Sequence, residues 1–137
     1  MKKVLFITLS LVAMLLGSCK SSNNVVSSNT DIQGEWSIEV AMDKNTKGGD
    51  QPATIIFGKD GRINGCATVN SFFGDYAIKN GKLSFSTVGM TRMMGQSMDI
   101  ERAICDALDQ TNTVKVDGAT ATVYDKSGKV VMLLKKK

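Results

Sequence analysis

Four methionines crowd into nine residues of the chain, at Met90, Met93, Met94 and Met98. Thioether sulfur is a soft ligand that suits Cu(I), so this cluster invites a copper hypothesis. The chain contains no histidine, which is the commonest general base and metal ligand. Methionine is also an ordinary filler of gaps in a hydrophobic core. We therefore predict that the cluster packs beneath a helix and that the protein holds no metal and no other cofactor.

Catalytic patterns are equally sparse in this sequence. It shows no nucleophile elbow, no phosphate-binding loop and no triad that contains histidine. Its carboxylates are scattered over predicted turns and solvent-facing positions, where they do not converge on one site. We predict that the protein is not an enzyme.

Cys19 follows a segment that is built like a secretory signal. Lys2 and Lys3 precede an apolar stretch, residues 4–17, which is shorter than the about 17–25 residues needed to cross a bilayer. The stretch ends in Leu16-Gly17-Ser18-Cys19, which resembles the lipobox of bacterial lipoproteins, where the cysteine is diacylated before cleavage. We therefore predict a signal peptide over residues 1–18 and a lipid anchor on Cys19.

The segment after Cys19 is rich in serine and asparagine and too poor in apolar residues to pack. We predict that residues 19–30 form a flexible tether and that residues 31–137 form one domain. Two acyl chains anchor a protein stably, because each buried methylene contributes about 0.8 kcal/mol. The predicted location is the cell envelope, with the outer membrane favoured over the inner one.

Cys66 and Cys105 are the remaining cysteines. Export would place them in an oxidising compartment, where an even pair in a small domain is more often bridged than free. We predict a disulfide between them. It would close a loop of about 40 residues and stabilise the domain by about 3–4 kcal/mol.

The charge of the mature chain is nearly balanced. Without the two lysines of the signal, 15 Lys and Arg residues stand against 13 Asp and Glu residues. The basic run 135–137 suits a solvated end that stops strand pairing at a sheet edge, with contact to acidic headgroups as the alternative. We predict no nucleic-acid partner.

Most of the domain reads as β-strand. Alternating apolar and polar residues predict a first strand over residues 34–40, with Trp36, Ile38 and Val40 on one face. Asn80-Gly81 is a strong hairpin signal, and similar turn signals separate the other strands. These further strands are predicted within residues 53–57, 62–66, 76–78, 83–85, 113–117, 119–124 and 129–134.

One helix is predicted between the fifth and sixth strands. Its apolar residues recur at helical spacing, at Ile100, Ala103, Ile104, Ala107 and Leu108. Ser97 is a suitable N-cap, and Asp99 and Glu101 complement the N-terminal dipole. The predicted fold class is mainly β (α+β): an antiparallel, barrel-like curled sheet of about eight strands with one helix. An open sheet that carries one helix is the alternative.

Two segments resemble the motifs of the META-domain (HslJ-like) family. Residues 65–76 read GCATVNSFFGDY, similar to the family pattern G-x-x-x-C-N-x-(F/Y)-x-G-x-Y, and residues 91–95 read TRMMG, similar to T-(R/K)-M-x-C. An early G-x-W also fits. The residues that carry the resemblance are Gly34, Trp36, Gly65, Asn70, Gly74, Tyr76, Thr91, Arg92 and Met93.

The sequence departs from this pattern at both family cysteines, because Val69 stands before Asn70 and Met94 follows Met93. The usual bridge of the family is therefore not expected, which leaves Cys66 and Cys105 as the candidates for a substitute. The resemblance implies a small β-rich, barrel-like fold, an envelope location and no established catalytic activity.

The motif residues also suit structural roles. Gly65 and Gly74 fit bulges or tight bends, Asn70 fits a turn whose backbone it satisfies, and Tyr76 and Phe73 fit core positions. Arg92 lies among apolar neighbours in the sequence, so we expect a carboxylate or backbone carbonyls within the domain to pair with it.

Two functions remain for such a domain. The first is a non-enzymatic, membrane-anchored envelope lipoprotein that contacts an unidentified protein or envelope component, with a stress role implied by the resemblance. The second is a carrier that holds a small apolar ligand inside the curled sheet. The carrier requires an unfilled interior, whereas close packing of Trp36, Ile38, Phe57, Phe85 and Leu133 would contradict it.

Overall fold

The computed structural model describes residues 29–137. The predicted signal peptide, Cys19 and nearly all of the predicted tether lie outside these residues. Within them, no helix is long and apolar enough to span a membrane.

Strands dominate the described residues, as predicted. Two helices accompany them, α1 (Asn29–Ile32) and α2 (Met98–Gln110). The strands are β1 (Gly34–Ala41), β2 (Lys44–Asn45), β3 (Thr54–Phe57), β4 (Arg62–Cys66), β5 (Ser71–Lys79), β6 (Lys82–Met90), β7 (Thr113–Asp117), β8 (Thr120–Tyr124) and β9 (Val130–Lys136).

All strand pairs are antiparallel, and the sheet closes on itself because β1 pairs with both β3 and β9. Eight strands form the ring, and β2 is a two-residue addition that pairs with the end of β1. The predicted curled sheet of about eight strands is thus confirmed. Because β2 is extra, the main helix lies between the sixth and seventh strands rather than between the fifth and sixth.

The ring is weakest between β6 and β7. These strands pair only at Lys82 and Thr113, whereas β5 and β6 pair along most of their length. Helix α2 connects β6 to β7 and packs against β1, β2 and β9. Its Ala103, Ile104, Ala107 and Leu108 enter the core, as their helical spacing predicts.

A bulge changes the predicted face of β1. Trp36 and Ile38 are buried, but the pairing of β1 with β9 shifts between Ile38 and Val40, so Ala41 is buried while Val40 is half-buried. A bulge inserts one unpaired residue and thereby moves the following side chains to the other face. The simple alternation that predicted Val40 in the core is wrong for this reason.

The interior of the ring is filled by side chains. Trp36, Ile38 and Phe57 are fully buried, and the ring of Phe57 lies edge-on to Tyr76, with their centroids 5.0 Å apart. Phe85 packs partly against this core, while Leu133 faces outward instead. This packing argues against an apolar ligand carried inside the ring.

Candidate functional site

Asn70 lies at the centre of a buried polar network between the β4–β5 connection and α2. Its side-chain Nδ2 donates to Glu101 Oε1 at 2.9 Å and to the backbone carbonyl of Met93 at 2.9 Å. Its Oδ1 accepts from the Thr91 hydroxyl at 2.9 Å and from the Met93 backbone N–H at 2.6 Å. The backbone N–H of Asn70 donates to Glu101 Oε2 at 2.7 Å. The structure therefore joins three motif positions, Asn70, Thr91 and Met93, and adds Glu101 to them.

The buried role of Glu101 was not predicted from the sequence, where Glu101 was expected to complement the helix dipole and to fit the family pattern in the helix together with Leu108. It is 6% exposed and lies on the buried face of α2. The signal was available, since Glu101 stands three residues before Ile104 and seven before Leu108, on the apolar stripe of the helix. A carboxylate on such a stripe requires a buried hydrogen-bond donor.

Asp50 anchors the start of α2 from a distant loop. Its carboxylate accepts from the backbone N–H groups of Gln96 and Ser97 at 2.9 and 3.0 Å and from the Ser97 hydroxyl at 2.9 Å. The Gln96 N–H and then the Ser97 hydroxyl lower the pKa of the Asp50 carboxyl below its ordinary value of 3.8. Ser97 occupies the N-cap position as predicted but makes no side-chain capping bond there, because its hydroxyl binds Asp50 and Thr68 instead.

The motif glycines lie where backbone or rings approach too closely for a side chain. A Cβ on Gly65 would stand 2.3 Å from the Thr54 carbonyl oxygen and 2.2 Å from the Phe72 ring. A Cβ on Gly74 would stand 2.9 Å from the Ser86 carbonyl oxygen, at the bulge between β5 and β6. These two glycines let neighbouring strands pass closely.

The two aromatic motif residues are buried and hydrogen-bonded. The Trp36 indole N–H donates to the Ile32 carbonyl at 2.7 Å, which fastens α1 to the ring. The Tyr76 hydroxyl donates to the Gly58 carbonyl at 2.7 Å. Gly34, two residues before Trp36, has a φ of +114°, a conformation that favours glycine.

Three predictions about side-chain environment are wrong. Phe73 is 54% exposed, because successive residues of β5 point to opposite faces and Phe72 takes the core position. Its ring covers Gly89 on β6. Met93 and Met94 are 55% and 87% exposed instead of packing in the core. Arg92 is exposed and makes no ion pair or hydrogen bond with any residue in the range 29–137, so solvent takes the place of the expected partner.

Val69 and Gly95 lie side by side where the two motif segments meet. A Cβ on Gly95 would stand 2.8 Å from both γ-carbons of Val69. Val69 is buried, whereas Met94 points outward. The position that faces Val69 is therefore Gly95, which also matches the cysteine of T-(R/K)-M-x-C by count. The assignment of the second family cysteine to Met94 is corrected to Gly95.

The predicted disulfide between Cys66 and Cys105 is wrong, because both cysteines are free in the described part of the chain. Cys66 ends β4 and its thiol lies 3.9 Å from Gln51 Oε1. Cys105 lies within α2, where its thiol contacts Met90 Sδ at 3.8 Å. The two residues therefore have different neighbours on different elements. The disulfide was predicted from the expected oxidising compartment and from the even number of cysteines. Neither indicates where the two thiols lie in the fold.

A groove of about 530 Å³ lies at the end of β6. Its wall includes all four clustered methionines, together with Val88, Gly89 and Arg92. Asn70 and Glu101 also line this groove, and Asn70 holds the backbone of Met93 in place. This arrangement can bind apolar groups or soft ions, because thioethers are both polarizable and adaptable.

The ring of eight strands with one covering helix and a motif network beneath it defines a small, mainly β domain. The META domain family model matches residues 29–137, and the chain belongs to this family. No curated protein matches the chain at a significant level.

Three solved structures share the fold. One NMR structure has a TM-score of 0.64 and 22% identity, and covers 80% of this chain and 94% of its own. An NMR structure of a protein from Burkholderia xenovorans has a TM-score of 0.59 and 25% identity, and covers 80% and 86%. A crystal structure of a DUF4847 family protein from Bacteroides vulgatus ATCC 8482 has a TM-score of 0.58 and 12% identity, and covers 77% and 94%.

Proposed function

We propose that this META-family protein is a non-enzymatic lipoprotein of the cell envelope, anchored through diacylated Cys19, whose domain contacts another envelope protein. The N-terminal segment supports the anchor, since it combines a signal-like layout with a lipobox-like end. The polar network within the domain supports a non-catalytic role, because the Asn70 and Glu101 side chains hydrogen-bond to each other and to the fold.

The observation that carries the proposal is an unpaired, uncharged strand edge. From Ser84 to Met90 the side of β6 that faces away from β5 has no strand partner among residues 29–137. This stretch contains no charged residue and no proline, although natural proteins commonly protect sheet edges with both. Val88 on this edge is 41% exposed, and Phe73 beside it is 54% exposed. Such an edge suits an extended segment of another protein that adds as a strand.

A photo-crosslinking amino acid at Val88 tests the contact in living cells. We expect a discrete crosslinked protein from this position and none from the same amino acid at Ser127, which is exposed in the β8–β9 turn. Equal labelling from both positions, or no labelled protein from Val88, would contradict the assigned surface.

Cys19→Ser tests the anchor separately. We expect the variant to lose its association with membranes while its domain remains folded, because diacylation needs the thiol and Cys19 lies outside the described domain. Density-gradient fractionation of the wild-type protein further tests the proposed outer-membrane location. Unchanged membrane association of Cys19→Ser would refute lipid anchoring.

A role under stress is the last part of the proposal and rests on the resemblance to heat-inducible members of the family. It requires that abundance of the protein rises after a heat shift or envelope damage. Quantitative immunoblotting measures this, and constant abundance under both treatments would remove the stress role while leaving the contact surface untouched.

A further inference from the structure

The basic run at the end of β9 does not lie at a sheet edge. Lys135 pairs with Thr120 on β8 and with Ser37 on β1, so β9 has a partner strand on each side. The predicted role of residues 135–137 in stopping strand pairing is therefore wrong. An unguarded edge does not account for the positive charge of this run.

The topology brings further lysines to the same end of the ring. The β3–β4 turn, the β5–β6 turn and the end of β9 all lie where β1 begins, because each strand is antiparallel to its neighbours. The lysines of these three places are exposed, and none makes an ion pair with a described residue. We call this part of the surface the basic end and define it by Lys59, Lys79, Lys82, Lys135 and Lys136.

The carboxylates of this end only partly offset its lysines. Glu35 lies 2.7 Å from the amine of Lys137, and Asp75 lies 3.8 Å from the guanidinium of Arg62, so two of the carboxylates have cations of their own. The other carboxylates at this end are Asp31, Asp60 and Asp117. The five lysines of the basic end outnumber these three.

Helix α2 gives the other end of the ring the opposite charge. It begins at that end, because Asp50 in the β2–β3 connection binds the backbone of Ser97 just before the helix. Its charged residues are four acids and one base, namely Asp99, Glu101, Asp106, Asp109 and Arg102. A negatively charged surface therefore attracts one end of the domain and repels the other.

The chain enters the domain at the basic end. Helix α1 is a single turn directly before β1, and the Trp36 indole N–H donates to the Ile32 carbonyl at 2.7 Å, which holds α1 at the start of β1. Residues 19–28 separate Cys19 from Asn29 and span at most about 35 Å when extended. A lipid on Cys19 would thus keep the basic end within about 35 Å of the bilayer surface.

We propose that the basic end is a docking surface for acidic lipid headgroups. Each lysine near an anionic bilayer strengthens binding by about 5-fold, and the attraction fades beyond about 10 Å at 0.1 M salt. The inference rests on the proposed lipid anchor, which brings the domain to the bilayer, and adds an orientation to it. Helix α2 and the methionine groove then face away from the bilayer, where the β6 edge at Val88 is open to another protein.

Vesicle binding of the chain without its lipid tests this surface apart from the anchor. The protein is the mature chain, residues 19–137, with Cys19→Ser, which keeps the complete ring and both helices. Co-sedimentation compares vesicles of phosphatidylcholine with equimolar vesicles of phosphatidylcholine and phosphatidylglycerol. We expect binding to the acidic vesicles alone at low salt, and its loss at about 0.5 M salt, where the screening length is under about 5 Å.

Two double variants locate the contact on the folded end. Lys59→Gln with Lys79→Gln changes the turns, and Lys135→Gln with Lys136→Gln changes the end of β9. Each pair should weaken binding to the acidic vesicles by about 30-fold, because it removes two lysines. The emission of the buried Trp36 checks that both variants are folded.

The β8–β9 turn supplies a matched control at the opposite end of the ring. Lys126→Gln with Lys129→Gln removes the same charge from exposed positions and should change binding by less than about 3-fold. Equal losses from the control and the basic-end variants, equal binding to both kinds of vesicle, or no binding to acidic vesicles would overturn the docking surface. A loss from the Lys135 and Lys136 pair alone would also overturn it, since a chain end and not the folded surface would then bind. None of these results depends on whether Cys19 carries a lipid, so failure of the surface and failure of the anchor are distinguishable.

Discussion

Replacing Asn70 by alanine should loosen the connection between the two motif segments. The substitution removes the Nδ2 bonds to Glu101 and to the Met93 carbonyl, and the Oδ1 bonds from Thr91 and the Met93 N–H. It leaves the backbone N–H of Asn70 bonded to Glu101. The Glu101 carboxylate thus keeps one of its two described donor groups while it remains buried.

The expected cost follows from these bonds. A neutral hydrogen bond contributes about 1 kcal/mol and one to a charged group about 1.5–3 kcal/mol, and a buried group left unpaired costs more than the bond itself. Thr91 and Met93 are exposed, so water can replace part of the hydrogen bonding that they lose with the Asn70 side chain. We therefore expect Asn70→Ala to lower the free energy of unfolding by about 3–5 kcal/mol, a large part of the about 5–15 kcal/mol of a typical domain.

Urea unfolding followed by tryptophan fluorescence measures this change. Trp36 is the only tryptophan and is fully buried, so its emission reports on the core of the ring. Asn64→Ala on the exposed face of β4 is the control and should change stability by less than about 0.5 kcal/mol. A loss for Asn70→Ala no greater than that of Asn64→Ala would refute the assigned role of the network.

Asn70→Asp sharpens the same test through its pH dependence. It places a second carboxylate at the position that lies 2.9–3.1 Å from the Glu101 oxygens. Two ionised carboxylates at this distance repel each other, so the folded state favours a proton on the introduced aspartate. Stability relative to wild type should therefore recover as pH falls from about 7 towards 4. If the loss of stability of Asn70→Asp relative to wild type stays constant over this pH range, the introduced aspartate and Glu101 are not close together.

Three further changes test other parts of the site. Gly65→Ala should destabilise the domain by about 1–3 kcal/mol in urea unfolding, because its Cβ would overlap the Phe72 ring. Asp50→Asn should remove a contribution to stability that is present above about pH 4 and disappears as pH falls through the lowered pKa of Asp50, so thermal scans of variant and wild type should converge in acid. Val69→Cys with Gly95→Cys should form a disulfide detectable by mass spectrometry, because the residues lie in contact, and the closed loop should add about 3 kcal/mol less any strain.

Local signals predicted most of the strands, since alternation and turn residues act within a few positions. The Asn80-Gly81 turn is an example, as both residues have positive φ and join β5 to β6. Features that depend on distant pairing were not predictable in this way. Register between strands that lie far apart in sequence sets the β1–β9 closure, the β1 bulge and the single residue pair of the β6–β7 ladder.

The residues of the candidate site also differ in whether a local sequence signal predicts them. Asn70 and Thr91 stand in motifs and bond to each other, so they could be singled out from sequence, but the bond of Asn70 to Glu101 depends on the docking of α2. Asp50 carries no local signal at all, because the backbone groups that it binds belong to residues 96 and 97. The contact between the Cys105 thiol and Met90 depends on how α2 lies against β6, so the sequence does not reveal it. Cys105 was therefore assigned to a disulfide instead.

The network explains why motif and surface chemistry are separable in this domain. The Asn70 side chain bonds to both the backbone N–H and the backbone carbonyl of Met93, while the Met93 side chain is 55% exposed. The motif therefore fixes the path of the chain and leaves the outward side chains free to vary. Arg92 and Met94 lie on this fixed path and are exposed, so replacing them should alter what the groove binds at little cost to folding. Specific function in this fold is thus expected to lie in the outward-facing side chains along this path, because the buried Asn70 is occupied in holding the backbone.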